Sequence, residues 1–430
     1  MSKLAFFGGN PIISSPLPAY NTFDEQEKKA VMEVLDSGIL SDFYGSYSKR
    51  FLGGPRVRQL EQRWADYFQV RFAVSLNSAT SGLHAAVLAA GVGPGDEVIV
   101  PPYTMSATAT SVLMANGVPV FADIDEQTYC LDIESVKRVR SERTKSIIVV
   151  NLFGGPADLD PLVEYCEENK IILIEDNAQA PGGRYRGRLL GTIGHMGIFS
   201  LNCHKVIQCG EGGVVVTQDE ALVTKLRLIR NHGENVVEDM GWNDIANTMG
   251  YNYRLTELQA AIAIVQLEKL EKLTEPRVEM AERITEGLKD RDELVLSELQ
   301  PGDRHVYYVY PFRFLPERAG FSRDLFVKAL AAEGLPVANY VRPLYLAPQY
   351  QRQIFHGPFG CPTRCPLYEG EGVYKKGLCP VAERLWEREF VCTNLCRWPF
   401  GEKEADLFVA GVLRVLDGKD ELARLENGKG

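Results

Sequence analysis

The sequence predicts an α/β protein, with a mostly parallel central sheet in a large domain and a smaller α+β domain after it. Three observations lead there. From residue 57 to residue 175, short aliphatic and β-branched runs alternate with segments whose apolar residues recur at helical spacing, the pattern of strand, crossover helix and strand. Runs such as Ile147-Ile-Val-Val150 and Ile171-Ile-Leu-Ile174 are apolar at every position, as strands covered on both faces must be. And 430 residues exceed the roughly 250–300 at which a single hydrophobic core stops growing, so a second unit is expected.

Residues 1–56 read as an irregular lead-in with one helix near 24–37, where Val31, Val34 and Leu35 fall at helical spacing. A loop at 41–55, rich in Gly, Ser and aromatic residues, is of the kind that reaches over a site, or else a plain surface loop. Alternation then sets in: helix 57–68, strand 72–76, helix 81–90, strand 97–101, helix 104–115, strand 118–124, helix 133–140, strand 146–152, helix 159–169 and strand 171–175. Two further apolar runs, 197–201 and 214–217, flank a polar connection. Helix 220–230 leads to Asn231-His-Gly-Glu234, and a long helical stretch from 256 to about 290 carries Leu258, Ala261, Ile262, Val265 and Leu270 on its apolar face. After it come strand 306–314, helix 322–333, strand 335–340 and a terminal helix near 402–416. The chain divides accordingly into a lead-in and loop (1–56), a large ligand-binding domain (57–255), a connecting helix (256–300) and a small domain (301–430).

Composition narrows the function classes. The 47 basic and 57 acidic residues give a formal charge of −10, and no basic block is long enough to track a phosphate backbone, so nucleic acid is not expected as a partner. No run approaches the roughly 18 apolar residues of a membrane helix, and the apolar core at the N-terminus is too short for a signal peptide; a cytoplasmic protein is expected. Nine scattered cysteines are expected as reduced thiols. The pairs Cys361-x3-Cys365 and Cys392-x3-Cys396 have bulky, proline-rich flanks unlike zinc knuckles, and no metal is expected.

Four features with chemical character lie where predicted strands end, which is where parallel sheets bind ligands. Leu76-Asn-Ser-Ala-Thr-Ser-Gly-Leu83 closes a strand and opens a helix; its backbone N–H groups and hydroxyls suit a phosphate, and an unliganded N-cap by Ser78 or Thr80 is the alternative. Tyr103, after a double proline, either stacks on a flat ring or packs in the core. Glu175 and Asp176 point to opposite faces of their strand, so one of them faces any ligand at that end, with metal binding or a salt bridge as the alternative. Lys205, five residues after Ser200, sits between two apolar strands; it is either a turn residue or an amine whose burial makes it nucleophilic. Together these are the parts that hold pyridoxal 5'-phosphate: the phosphate on Ser78, Ala79, Thr80 and Ser200, the ring on Tyr103, the pyridine nitrogen on Asp176, and Lys205 as the Schiff-base lysine.

Several motifs in order, Asn77-Ser-Ala-Thr-Ser-Gly-Leu, Gly93-Pro-Gly-Asp-Glu-Val-Ile-Val-Pro-Pro-Tyr-Thr104, Glu175-Asp-Asn-Ala-Gln-Ala180, Phe199-Ser-Leu-Asn-Cys-His-Lys205 with Gly210-Glu-Gly-Gly213, and Gly250-Tyr-Asn-Tyr-Arg-Leu-Thr-Glu-Leu-Gln-Ala-Ala261, resemble the DegT/StrS family of sugar aminotransferases. The resemblance covers roughly residues 25–270. It implies fold type I of the pyridoxal-phosphate enzymes, a homodimer with shared active sites, and transfer of an amino group from glutamate or glutamine to a keto sugar or keto cyclitol. By the same resemblance Lys205 is the Schiff-base lysine, Asp176 the pyridinium partner and Gln179 the neighbour of the ring hydroxyl. Ala79, Thr80 and Ser200 hold the phosphate, Tyr103 stacks on the ring, and Asn252 reaches the phosphate of the neighbouring subunit.

Some relatives are dehydratases with histidine in place of the lysine; here His204 falls one position short and Lys205 occupies the place, which favours amino transfer. A cofactor-binding regulatory protein without turnover is the rival from another class. Arg230, His232, Tyr251, Arg254, Tyr340 and Arg342 are the residues expected to bind acceptor or donor carboxylate, each with a surface or salt-bridge role as the alternative. The aromatic insertion 43–51 and the Cys-rich segment 361–379, with Cys379-Pro-Val-Ala-Glu383 following, depart from the usual pattern of the family, and that last segment resembles its cyclitol-type members more than its nucleotide-sugar ones.

Overall fold

The computed structural model describes residues 3–428. Strands β1 (Phe72–Leu76), β2 (Glu97–Val100), β3 (Val118–Phe121), β4 (Thr144–Val150) and β5 (Ile172–Asp176) are followed by a small hairpin, β6 (Arg184–Tyr185) and β7 (Arg188–Leu189), and then by β8 (Met196–Ser200) and β9 (Gly213–Thr217). All but the hairpin form one sheet in the order β1-β9-β8-β5-β4-β2-β3. Only β9 runs against its neighbours, so the other six strands end at the same edge of the sheet. That shared edge is what gathers the site.

Alternate residues of the central strands enter different cores. Ile198 and Val215 face one hydrophobic cluster while Phe199, Val214 and Val216 face another, packed on Trp64 and Phe68. This is the period-2 rule acting on a sheet with both faces buried, and it accounts for strands with no polar side. Helices α1 (Glu25–Ser37), α2 (Pro55–Phe68), α3 (Ala79–Ala89), α4 (Ala107–Met114), α5 (Ile133–Val139), α6 (Leu159–Asn169) and α7 (Glu220–Arg230) cover it. The small residues of α3 let it lie close: a Cβ on Gly82 would stand 3.1 Å from Val215 and 3.4 Å from Ile198.

The predicted long helix is two helices, α8 (Glu257–Glu268) and α9 (Leu270–Leu288), divided at Lys269. The Lys269 ammonium reaches back to Glu27 at 2.7 Å and Asp24 at 3.0 Å, tying the division to the start of α1. A second, antiparallel sheet takes β10 (Leu294–Leu296), β11 (Tyr310–Phe314), β12 (Val337–Ala338) and β13 (Phe390–Thr393) in the order β10-β11-β13-β12. Its core joins Phe312, Phe314 and Val391 to α9 and to the helices Arg323–Ala332 and Glu402–Asp417. Strands β10 and β13 were not foreseen; each is a run of three or four residues, too short for periodicity to separate it from a loop.

Two irregular segments complete the body. The loop at 41–55 packs against the end of α7, where the Asn231 amide donates to the carbonyls of Tyr44 (3.0 Å) and Phe51 (3.1 Å). Residues 345–374 return from the second sheet to cover β3, the edge of the first. Tyr345, Tyr350 and Tyr374 surround Phe121 at ring distances of 5.4, 5.5 and 5.7 Å, and the Tyr374 hydroxyl donates to the Pro119 carbonyl at 2.9 Å.

Candidate active site

At the common strand edge lies a cavity of about 340 Å³. Its floor begins with the turn from β1 into α3. Ser78 is extended and caps the helix, its Oγ accepting the Ser81 N–H at 3.1 Å. The N–H groups of the first two helical residues, Ala79 and Thr80, have no acceptor within the helix and lie at the cavity wall with the positive end of its dipole. Strand β9 passes directly beneath. A Cβ on Gly213 would sit 2.6 Å from the Ala79 nitrogen, so only glycine allows that approach.

The paired carboxylates at the end of β5 separate as a strand requires. Glu175 turns away from the cavity and is enclosed by donors: Oε1 accepts the N–H groups of Ile193 and Gly194 at 2.7 Å each, and Oε2 accepts the Gly191 N–H at 2.8 Å and the Asn151 amide at 3.2 Å. It pins the loop that precedes β8. Asp176 faces the cavity, accepting from the Thr108 hydroxyl at 2.9 Å and from the Ala178 N–H at 3.3 Å. Burial pushes its carboxyl above the ordinary range, and Thr108, Ala178 and Lys205 partly oppose that.

Gln179 follows on the same turn. Its Oε1 accepts the Phe153 N–H at 2.8 Å, which fixes the orientation of the amide and leaves Nε2 as a donor at the cavity side, with the Tyr340 hydroxyl 3.4 Å away. The connection between β8 and β9 supplies Ser200 and Lys205. It is folded tightly, with Cys203 N–H donating to Gly210 O (2.9 Å) and Cys209 N–H to Leu201 O (3.0 Å), and is anchored by buried Val206 and Ile207. The Tyr20 hydroxyl donates to the Val206 carbonyl at 2.6 Å. Held there, the Lys205 amine is lowered by burial from 10.5 to about 8, with Asp176 opposing the change.

The structure thus brings Ser78, Ala79, Thr80, Asp176, Gln179, Ser200 and Lys205 to one cavity. It does not bring Tyr103. That ring is fully buried and packs edge-on against Tyr340 at 5.2 Å and Phe390 at 5.7 Å, so the expected stacking role is corrected to a core role. The wall after β2 is instead made by Thr104, Met105 and Ala107, of which Met105 is 60% exposed. The cluster that encloses Tyr103 comes from residues far along the chain and leaves no local trace.

Arg230 is corrected as well. Its guanidinium is fully buried, bonded to the Glu61 carboxylate and to the Ser75 carbonyl, and is unavailable to a ligand. His232, Tyr251, Asn252 and Arg254 gather around a backbone bridge between Asn231 and Asn252, outside this cavity. Asn252 is exposed and its Oδ1 accepts from Arg254 at 2.8 Å; Tyr251 stacks on Tyr253 at 4.9 Å; His232 stands 3.7 Å from Glu234. Tyr340 is off the cavity wall and reaches the site through its contact with Gln179, and Arg342 is exposed and off the cavity wall. The sequence reading missed Thr108, whose only local signal is its place one helical turn after Thr104, and Tyr308, which enters the cavity from the chain that leads into β11.

These groups fit pyridoxal 5'-phosphate: unsatisfied N–H groups at a helix start for the phosphate, a buried carboxylate whose nearest cationic partner is Lys205, an amide donor, and an amine of lowered basicity. Comparison with known proteins agrees. The GDP-perosamine synthase of Caulobacter vibrioides is 34% identical over 332 residues, covering 76% of this chain and 84% of that protein. Among solved structures, the aminotransferase from Psychrobacter cryohalolentis superposes with a TM-score of 0.81 at 27% identity, over 94% of this chain and all of that one. DesI, determined in the presence of its TDP-sugar product, gives 0.78 at 28% identity over 98% and 99% of the two chains. Residues 21–364 match the model of the DegT/DnrJ/EryC1/StrS aminotransferase family, and the chain belongs to that family of pyridoxal-phosphate-dependent aminotransferases.

Proposed function

We propose that this chain moves an amino group from glutamate or glutamine to the keto carbon of a nucleotide-linked sugar, in a two-stage reaction through one site. The observation that carries the reading is the convergence of the Lys205 amine, the Asp176 carboxylate and the Gln179 amide donor on one cavity. The nucleotide-linked acceptor rests on the relatives named above, one a GDP-perosamine synthase and one solved in the presence of a TDP-sugar; free keto sugars and keto cyclitols are the alternatives the assay includes.

When bound, pyridoxal 5'-phosphate supplies a carbonyl that takes up the amino group and an electron-poor ring that accepts the charge left by a departing α-proton. The N–H groups of Ala79 and Thr80 and the Ser200 hydroxyl hold the phosphate. Asp176 keeps a proton on the ring nitrogen, and Gln179 Nε2 donates to the ring oxygen. Lys205 Nζ takes the α-proton from the donor in the first stage and returns one to the acceptor carbon in the second. With its basicity lowered to about 8, roughly a quarter of the free amine is unprotonated half a pH unit below that value, against about a thousandth for an ordinary lysine. Asn252, exposed on the surface beside Arg254, is suited to reach the phosphate in a second copy of the chain, and a homodimer in the cytoplasm is the assembly and location we propose.

The test uses nitrogen-15-labelled glutamate or glutamine with a panel of keto sugars and keto cyclitols. Label in an amino sugar, matched by one equivalent of 2-oxo acid and absent from Lys205→Ala, is the expected result. A product that has lost water and gained no nitrogen would replace the proposal with a dehydratase. Failure of every donor to lose its amino group would leave the regulatory reading.

A further inference from the structure

Beside the Lys205 amine lies an aromatic ring that the scheme above does not use. Tyr308 lines the cavity, and the centre of its ring lies 4.6 Å from Lys205 Nζ. Its backbone is fastened to the turn that orients Gln179. Val306 N–H donates to the Gly154 carbonyl at 2.9 Å and Val309 N–H to the Phe153 carbonyl at 3.4 Å, bracketing Tyr308. Gly154 adopts a φ of +104°, and a Cβ there would lie 3.0 Å from the Tyr307 and Tyr308 nitrogens, so the contact depends on a glycine. One residue earlier the chain is fixed again: His305 is buried, its Nδ1 accepts the Tyr307 N–H at 2.8 Å, and its ring stacks on Tyr307 at 4.0 Å. The Tyr308 ring is therefore presented to the cavity by the protein frame.

We propose that Tyr308 is a positioning residue for the amino transfer, its π face holding the Lys205 side chain over the reacting carbon during the interval in which the lysine is free. The inference rests on Lys205 being the proton carrier, as proposed above. An ammonium is attracted to an aromatic face, and ammonium is the form Lys205 takes once it has accepted the α-proton. Of the other titratable groups lining the cavity, Asp176 acts on that amine, while His204 and Glu211 are exposed on the wall of the same cavity. Burial works against the charged form and lowers the amine to about 8; Asp176 supports it. A second carboxylate in place of Tyr308 would support it too, but would compete with Asp176 for the proton on the ring nitrogen. A neutral ring steadies the cation without that competition.

Lys205 basicity is read in the full-length, cofactor-free chain by trace acetic anhydride labelling across neutral and alkaline pH, with the Lys205 peptide quantified by mass spectrometry. Tyr308→Leu, which removes the π face, is expected to lower the Lys205 titration by about half to one and a half pH units. Tyr308→Phe, which keeps the face and loses the hydroxyl, is expected to titrate as the natural chain, and Tyr308→Trp at or above it. In the holoenzyme the pH profile of the donor half-reaction moves in the Leu variant and not in the Phe variant. An unshifted Lys205 in Tyr308→Leu, or a Phe variant shifted as far as the Leu variant, overturns the proposal. The labelling needs no turnover, so its failure is distinct from failure of amino transfer, which the isotope experiment reads.

Discussion

Glu175→Gln and Asp176→Asn exchange one oxygen for an amide nitrogen at adjacent positions, and the two variants are expected to fail in different assays. In Glu175→Gln the remaining oxygen serves Ile193 and Gly194, while the new NH2 group meets the Gly191 N–H and the Asn151 amide, donor against donor. Asn151 cannot simply turn over, because its Oδ1 accepts the Ala157 N–H at 3.1 Å and its Nδ2 also donates to Asn177 at 3.2 Å. Two buried donors without acceptors cost about 2–6 kcal/mol, and relief from burying a carboxylate offsets part of it, so a loss of about 2–4 kcal/mol is expected. Among the described residues Asp176 has as bonded partners Thr108, whose hydroxyl can rotate to accept, and the Ala178 N–H. Its carboxyl is raised by burial, so the ionised form opposes folding above the ordinary range, and Asp176→Asn in the cofactor-free chain is expected to be as stable as the natural chain or more so. Its turnover is expected to fall at least about a hundredfold, since the ring nitrogen loses the charge opposite it. Urea unfolding followed by tryptophan fluorescence, to which Trp64, fully buried beside β8, contributes, reads the first effect, and initial rates read the second. An Asp176→Asn midpoint that drops as far as that of Glu175→Gln, or a Glu175→Gln protein that is fully folded yet inactive, would refute the assignment.

Three further outcomes are expected. Between pH 8 and 10.5 the unfolded chain keeps a proton on Lys205 that the folded, cofactor-free chain has released, so the stability difference between the natural chain and Lys205→Met should be constant below about pH 8 and shift in favour of the natural chain as pH rises to 10.5; a flat difference in denaturation midpoints would contradict the buried amine. Gly213→Ala drives a methyl into the backbone of Ser78 and Ala79 at 2.6 Å, which should cost about 1–3 kcal/mol and weaken cofactor binding at least about tenfold in an absorbance titration. Tyr103→Phe removes a buried hydroxyl that has no partner among the described residues, so stability should hold or rise by up to about 1 kcal/mol with cofactor affinity unchanged; a weakened affinity would return that ring to the cofactor.

Much of this site was legible because its parts obey local rules. The end of an apolar strand followed by Asn-Ser-Ala-Thr-Ser announces a helix start with free N–H groups, and Lys205 between two apolar runs announces an amine near a sheet. The choice between Glu175 and Asp176 was not local: parity put them on opposite faces, but only the fold of residues 191–194 around Glu175 decides which face is spoken for. Tyr103 misled for a related reason, since an aromatic after β2 looks the same whether the core later supplied by Tyr340 and Phe390 encloses it or not. Tyr308 lay in an aromatic run read as strand from residue 306. In the structure β11 begins at Tyr310, and the residues before it are free to follow the Phe153–Gly154 turn into the cavity.

The cover that residues 345–374 place over β3 bears on how the chain is made. An uncovered edge strand offers a row of backbone donors and acceptors to any other extended chain. Strand β3 ends at Phe121, yet Tyr374, which closes over it, leaves the ribosome more than two hundred residues later. At about 5–20 residues per second, that is on the order of ten seconds or more in which the growing sheet has its seam open. A chain ending before residue 345 would never close it, so the sheet that carries the site depends on residues 345–374 to keep its edge from pairing with other chains.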